Sequence, residues 1–150
     1  MHGNAVFFIW VFLLAGCRKP PLSAPDNGSK PAGGILPASY VLHDIWALES
    51  FRGRAVRSGD FSKGLPILEI YVADGRVLGH TGCNQLDGKV EAGGKAIAFG
   101  NLTVTKVPCP GNFEPDFLRA LKQANAYSVK NLRLVLFRRH RELMVFRKID

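Results

Sequence analysis

The sequence predicts an α+β domain: a curved antiparallel sheet, or partial β-barrel, with one packed helix. Three observations lead there. Short apolar runs recur from Trp46 to Phe146, separated by turn dipeptides such as Asp74-Gly75 and Gly93-Gly94, which is the signature of strands and hairpins. One stretch, Asn112 to Asn125, has its apolar residues at helical spacing instead. The 150 residues include 16 Gly, 9 Pro and 10 Phe and are 47% apolar, enough for one turn-rich domain with a core plus an appendage. A sheet of about seven to eight strands must also manage its edges, and curling is one way to do so.

The appendage comes first. Ala5 to Ala15 is an unbroken apolar run of eleven residues. That length suits the core of a signal peptide, whereas a membrane-spanning helix needs ~20 residues. The run ends in Leu14-Ala15-Gly16-Cys17, which resembles the bacterial lipobox. The resemblance implies that residues 1–16 are a lipoprotein signal peptide, cleaved before Cys17, with lipid on that cysteine. Met1-His2-Gly3-Asn4 departs from the usual pattern in lacking Lys and Arg. Several acyl chains anchor firmly, because each buried methylene contributes ~0.8 kcal/mol.

Residues 17–40 read as a lipid-anchored flexible linker. Five of the nine prolines fall there, with Asn27-Gly28-Ser29 and Gly33-Gly34, and such a segment has too little apolar surface to order itself. Arg18 follows the cysteine, and by resemblance to proteobacterial sorting rules the missing Asp favours the outer membrane, facing the periplasm.

The folded domain is expected at 41–150. Trp46 and Leu48 share a face of a first strand. Phe51 to Ser62 reads as a loop or irregular strand. Pro66–Val72 and Arg76–Gly79 flank Asp74-Gly75, the pattern of a type I′ hairpin turn. Asp87-Gly88 and Gly93-Gly94 mark further turns, around a short strand at Lys89–Glu91. Ala96–Phe99 and Leu102–Thr105 are further strands. In the helix, Pro115 suits the first turn, Glu114 and Asp116 oppose the positive end of the dipole, and Phe113, Phe117, Leu118 and Leu121 share one side. Asn125 is its stop. Ala126–Val129 is a short strand. Leu132–Phe137 and Leu143–Phe146 form a last hairpin, with Leu132, Leu134 and Leu136 facing one way.

Several residues could carry chemistry. Cys17 is assigned to lipid, which leaves Cys83 and Cys109 as an even pair, and a disulfide is the leading reading in an oxidising, exported compartment. The alternatives are two buried reduced thiols, a metal site using His80, or a Cys83 nucleophile beside His80. The metal reading lacks a fourth ligand. The nucleophile reading lacks a helix N-terminus or cationic pocket to lower the thiol pKa. Asn84, Asp87, Thr103 and Thr105 read as structural, and Trp46 as core. Arg138, Arg139 and Arg141 form a basic hairpin, read as a solvated surface or a possible surface-binding patch for anionic headgroups.

The formal charge of +8 allows an anionic partner or simple solubility. No nucleic-acid module signature is present. No paired carboxylates, Ser-His-Asp order or phosphate loop stand out, so a non-enzyme without cofactor or metal is expected.

Trp46-x-Leu48, Gly82-Cys83-Asn84-x-x-x-Gly88, Phe99-Gly100, Leu102-x-x-Thr105-x-x-x-Cys109, Glu114-x-x-Phe117-Leu118-x-x-Leu121 and the closing Leu-rich hairpin together resemble the META domain. This is the domain of the heat-shock protein HslJ and related bacterial lipoproteins. The resemblance spans Ile45 to Lys148 and departs locally at Val107-Pro108. It implies a curved sheet with one helix, in an envelope protein, often lipid-anchored, linked to stress or drug tolerance. It carries over no catalytic residue. The expected whole is a monomeric, non-enzymatic envelope lipoprotein, held to the membrane through Cys17 and meeting an unknown envelope protein. The alternative is an inhibitor or ligand-binding module acting on an envelope hydrolase or wall fragment.

Overall fold

β1 (Asp44–Phe51) is the strand on which the sheet closes. It pairs along one edge with β3 (Ile67–Tyr71) and along the other with β9 (Arg141–Lys148). Between these lie β4 (Arg76–His80), β5 (Gln85–Gly93), β6 (Ala96–Val104), β7 (Ala126–Lys130) and β8 (Arg133–Arg138). Each is antiparallel to its neighbours, so the sheet runs β1-β3-β4-β5-β6-β7-β8-β9 and returns to β1 as a ring. A ninth strand, β2 (Arg54–Ala55), folds back on the end of β1. The thinnest join is β6–β7, where Ala96 opposite Ala126 is the one pair.

This computed structural model describes residues 38–150. The signal peptide expected at 1–16, Cys17 and the linker up to residue 37 lie outside the described residues. The last linker residues, Ala38–Tyr40, belong to a 3₁₀ turn, Ala38–Leu42, whose Leu42 is fully buried. Among the described residues no helix is long and apolar enough to cross a membrane.

The core fills the inside of the ring. Trp46 and Leu48 are both buried, as their shared face predicts, and the Trp46 indole N–H donates to the Leu42 carbonyl at 3.0 Å. Leu68, Ile70, Val77, Leu86, Val90, Ile97, Phe99, Leu134, Leu136 and Phe146 join them at period two. The one helix, α1 (Phe113–Gln123), buries Phe117, Ala120 and Leu121. Phe117 lies 6.4 Å from Phe146, and Phe113 lies 5.2 Å from Phe51 and 4.8 Å from Phe61, ring centre to ring centre. Aromatic pairs at such distances add to their area burial. Pro115 and Glu114 sit in the first turn, and the helix stops at Ala124, whose backbone is extended.

The structure corrects four local expectations. Asp87-Gly88 is no turn but lies inside β5, with a register shift between Asp87 and Lys89. Gly88 is needed there for close approach: a Cβ would meet a Leu102 methyl at 2.6 Å. Pairing on both edges outweighs the local turn preference. Ala96–Phe99 and Leu102–Thr105 are parts of one strand, β6, which runs on past Asn101 at φ +49. At Asp74-Gly75 the opposed residues are Tyr71 and Arg76, so the loop has four residues, and Gly75 alone takes positive φ. Leu132 is not a strand residue. It shares a two-residue turn with Asn131, at φ +51 and +58, and is 67% exposed. A second turn of that kind, Arg52-Gly53, joins β1 to β2 inside the stretch read as a loop or irregular strand.

Candidate functional site

The connection from β4 to β5 is Thr81-Gly82-Cys83-Asn84, and it is held by its own polar groups. The Thr81 amide donates to the Asn84 carbonyl at 2.8 Å, and the Asn84 amide donates to Thr81 Oγ1 at 3.0 Å. Gly82 takes φ +88 and packs under Phe61, where a Cβ would meet the ring at 2.7 Å.

Asn84 is 1% exposed. Its Nδ2 donates to the Val107 carbonyl at 3.0 Å and to Glu114 Oε1 at 3.1 Å, and lies 2.9 Å from Cys109 Sγ. Its Oδ1 accepts from the Thr105 hydroxyl at 2.8 Å and from the Val107 amide at 2.9 Å. One side chain therefore ties the β4–β5 connection to the β6–α1 connection and to the first turn of α1. The Glu114 carboxylate also accepts from the Thr81 hydroxyl. Thr105 in turn accepts from the Gln85 amide at 3.1 Å, the backbone role expected of it.

Cys83 and Cys109 are joined by a disulfide, Cα to Cα 6.0 Å, at the same place. Bonded to each other, the sulfurs leave no thiolate for a nucleophile or a metal ligand. Among the described residues no group of three or more His, Cys, Asp and Glu could hold a metal. His80 sits one residue before the clip, and its Nδ1 accepts from the Gly82 amide at 3.1 Å. Burial lowers its pKa from 6.5, Lys63 lowers it further and Glu69 opposes them. His80 thus serves the turn through a structural hydrogen bond.

Reading the sequence misses Thr81 and gives Glu114 only its helix-dipole role. The signal was present in the spacing from Gly82-Cys83-Asn84 to Glu114, but it is a contact across 30 residues, which no local rule reports.

Outside the clip, β3 to β6 present a groove of about 630 Å³ on the outer face of the sheet. Its floor includes Leu78, and Glu69, His80, Gln85, Thr103 and Thr105 line it. A partly apolar floor with a few convergent polar groups is the general form of a ligand site. Arg138, Arg139 and Arg141 lie elsewhere, at the turn between β8 and β9, and all are exposed.

The model of the META domain matches residues 40–150. The chain belongs to the META domain family. Solved structures agree with its fold. A protein from Burkholderia xenovorans, solved by NMR, is similar at 22% identity and TM-score 0.59, over 85% of this chain and 97% of that one. A DUF4847 family protein from Bacteroides vulgatus is similar at 19% identity and TM-score 0.50, over 72% and 95%. No curated protein matches the chain. At these identities the likeness concerns the fold. The META domain's Gly82-Cys83-Asn84 and Thr105-x-x-x-Cys109 elements are the two halves of the clip.

Proposed function

We propose that this META-domain chain is a non-enzymatic lipoprotein of the cell envelope. Lipid on Cys17 anchors it, in the outer membrane facing the periplasm, and it acts as a monomer in stress tolerance or envelope integrity. The Cys83–Cys109 disulfide carries this reading. Such bonds persist in oxidising, exported compartments, and this one accompanies Leu14-Ala15-Gly16-Cys17 near the start of the chain. The clip also argues for binding over catalysis. Its reactive residue types are committed to one another and to backbone, which suits a scaffold. The test is metabolic labelling with radioactive palmitate: label on the native protein and none on Cys17→Ser is expected, and an unlabelled native protein sinks the anchor.

The groove on β3–β6 favours a second reading, a module that binds a hydrolase or a wall fragment. Titration with soluble wall fragments, followed by NMR, should move His80, Gln85 and Thr103 together. Shifts scattered over the whole domain, or none, would reject it.

A further inference from the structure

Two separate turns bring cations to one rim of the ring. Arg52 and Arg54 lie at the β1–β2 turn, and Arg138, Arg139 and Arg141 surround the β8–β9 turn. Backbone hydrogen bonds place these turns side by side. The Arg52 amide donates to the Leu143 carbonyl at 2.8 Å, two residues from Arg141. The Arg139 amide donates to Asn125 Oδ1 at 2.7 Å, and the Asn125 amide to the Phe137 carbonyl at 2.9 Å.

All five cations are exposed. The ion pairs among the described residues use Arg76, Arg119, Arg133 and Lys148 instead. Within the segments that form the rim the one carboxylate is Glu142. Arg139 takes φ +57 and is fixed there by Asn125, so the turn projects as a set shape.

We propose that this rim is an electrostatic docking surface for an anionic lipid bilayer. Its shape selects the partner. None of the five lines the groove on β3–β6, the clefts beside the disulfide and the C-terminus, or the hollow around Gly75 and Gly88. The cations stand on two turn tips and not along a channel, which fits an extended charged plane better than a single polymer strand.

The rim is the end of β9 remote from where the chain enters. The Ile149 amide donates to the Ile45 carbonyl at the entry end, and Arg141 to Lys148 spans ~23 Å at ~3.3 Å per residue. The inference deepens the envelope reading, but it does not need lipid on Cys17.

The test uses the full chain carrying Cys17→Ser, with vesicles of phosphatidylcholine alone or mixed with phosphatidylglycerol. Any contribution of the apolar run Ala5–Ala15 is common to both, so the difference reports charge. Each cation near the surface contributes about fivefold in partition. Arg138→Glu/Arg139→Asn/Arg141→Glu should lower the anionic preference on the order of 100-fold, and Arg52→Asn/Arg54→Glu on the order of 25-fold. Asn suits the positive φ of Arg52 and Arg139. Lys130→Glu/Arg147→Gln makes the same charge change as the Arg52/Arg54 variant, away from the rim, and should keep the preference. Equal partition of the starting chain into both vesicles overturns the proposal. So does an equal loss in the Lys130/Arg147 control. Tighter binding to soluble inorganic polyphosphate than to anionic vesicles overturns it in favour of a polymer.

Discussion

Around Asn84 the polar side chains face partners inside the protein; around Arg139 five cations have no carboxylate partner among the described residues. Both regions hold residue types that bind or react, and the difference between them is what their neighbours do. At Thr81 and Asn84, each 1% exposed, burial forces donors and acceptors to be satisfied, since an orphan there costs ~1–3 kcal/mol. The result is a staple across the β4–β5 connection, the β6–α1 connection and the helix start. On the rim the guanidinium groups are exposed and make no ion pair among the described residues, and Arg52 lies over the Phe51 ring at 5.1 Å. Residues that folding does not need are the ones free to meet a partner.

Breaking the clip should therefore cost stability, and changing the rim should not. The largest effect expected is from Cys83→Ser/Cys109→Ser. The bond closes a loop of 26 residue steps, for which the chain-entropy model gives roughly 3.5 kcal/mol; urea unfolding with and without reductant measures it. Asn84→Ala should cost about 3 kcal/mol, because it leaves the Val107 amide and the Glu114 carboxylate short of partners inside the protein. Leu132→Gly runs the other way. Leu132 is exposed at φ +58, where glycine is at ease, so the free energy of unfolding, read in urea, should rise by about 0.5–1 kcal/mol. The rim variant Arg138→Glu/Arg139→Asn/Arg141→Glu should stay within about 0.5 kcal/mol per substitution.

The smallest effect is with pH. His80 has a folded pKa below its ordinary 6.5, so the unfolded chain takes up the proton first. Stability is complete above 6.5 and is lost as pH falls through the folded value. His80→Gln should flatten that slope, read from urea midpoints on either side of pH 6.5.

How far the sequence reaches follows the same division. Strand alternation at Leu134 and Leu136 and helical spacing at Phe117 and Leu121 are local, so the fold class is legible from them. Cys83 and Cys109 are legible as a pair because they are the two cysteines of the folded domain. Asp87-Gly88 misleads because a strand paired on both sides overrides a turn signal. Leu132 misleads because its place in the alternation of Leu134 and Leu136 hides the register, Lys130 opposite Arg133, that makes it a turn. Glu114 and Thr81 are illegible as partners of Asn84 because they meet only when the ring has closed. The rim is half legible: Arg138, Arg139 and Arg141 are adjacent in sequence, whereas Arg52 and Arg54 join them through β1–β9 pairing.

The division between clip and rim rests first on the state of two sulfurs. The direct measurement is alkylation of the full chain carrying Cys17→Ser, under denaturing conditions, with and without reductant, read by mass spectrometry. Without reductant neither Cys83 nor Cys109 should be alkylated, and with it both should be. Alkylation of either cysteine in the unreduced protein would contradict the account, because the clip would then hold free thiols available for chemistry.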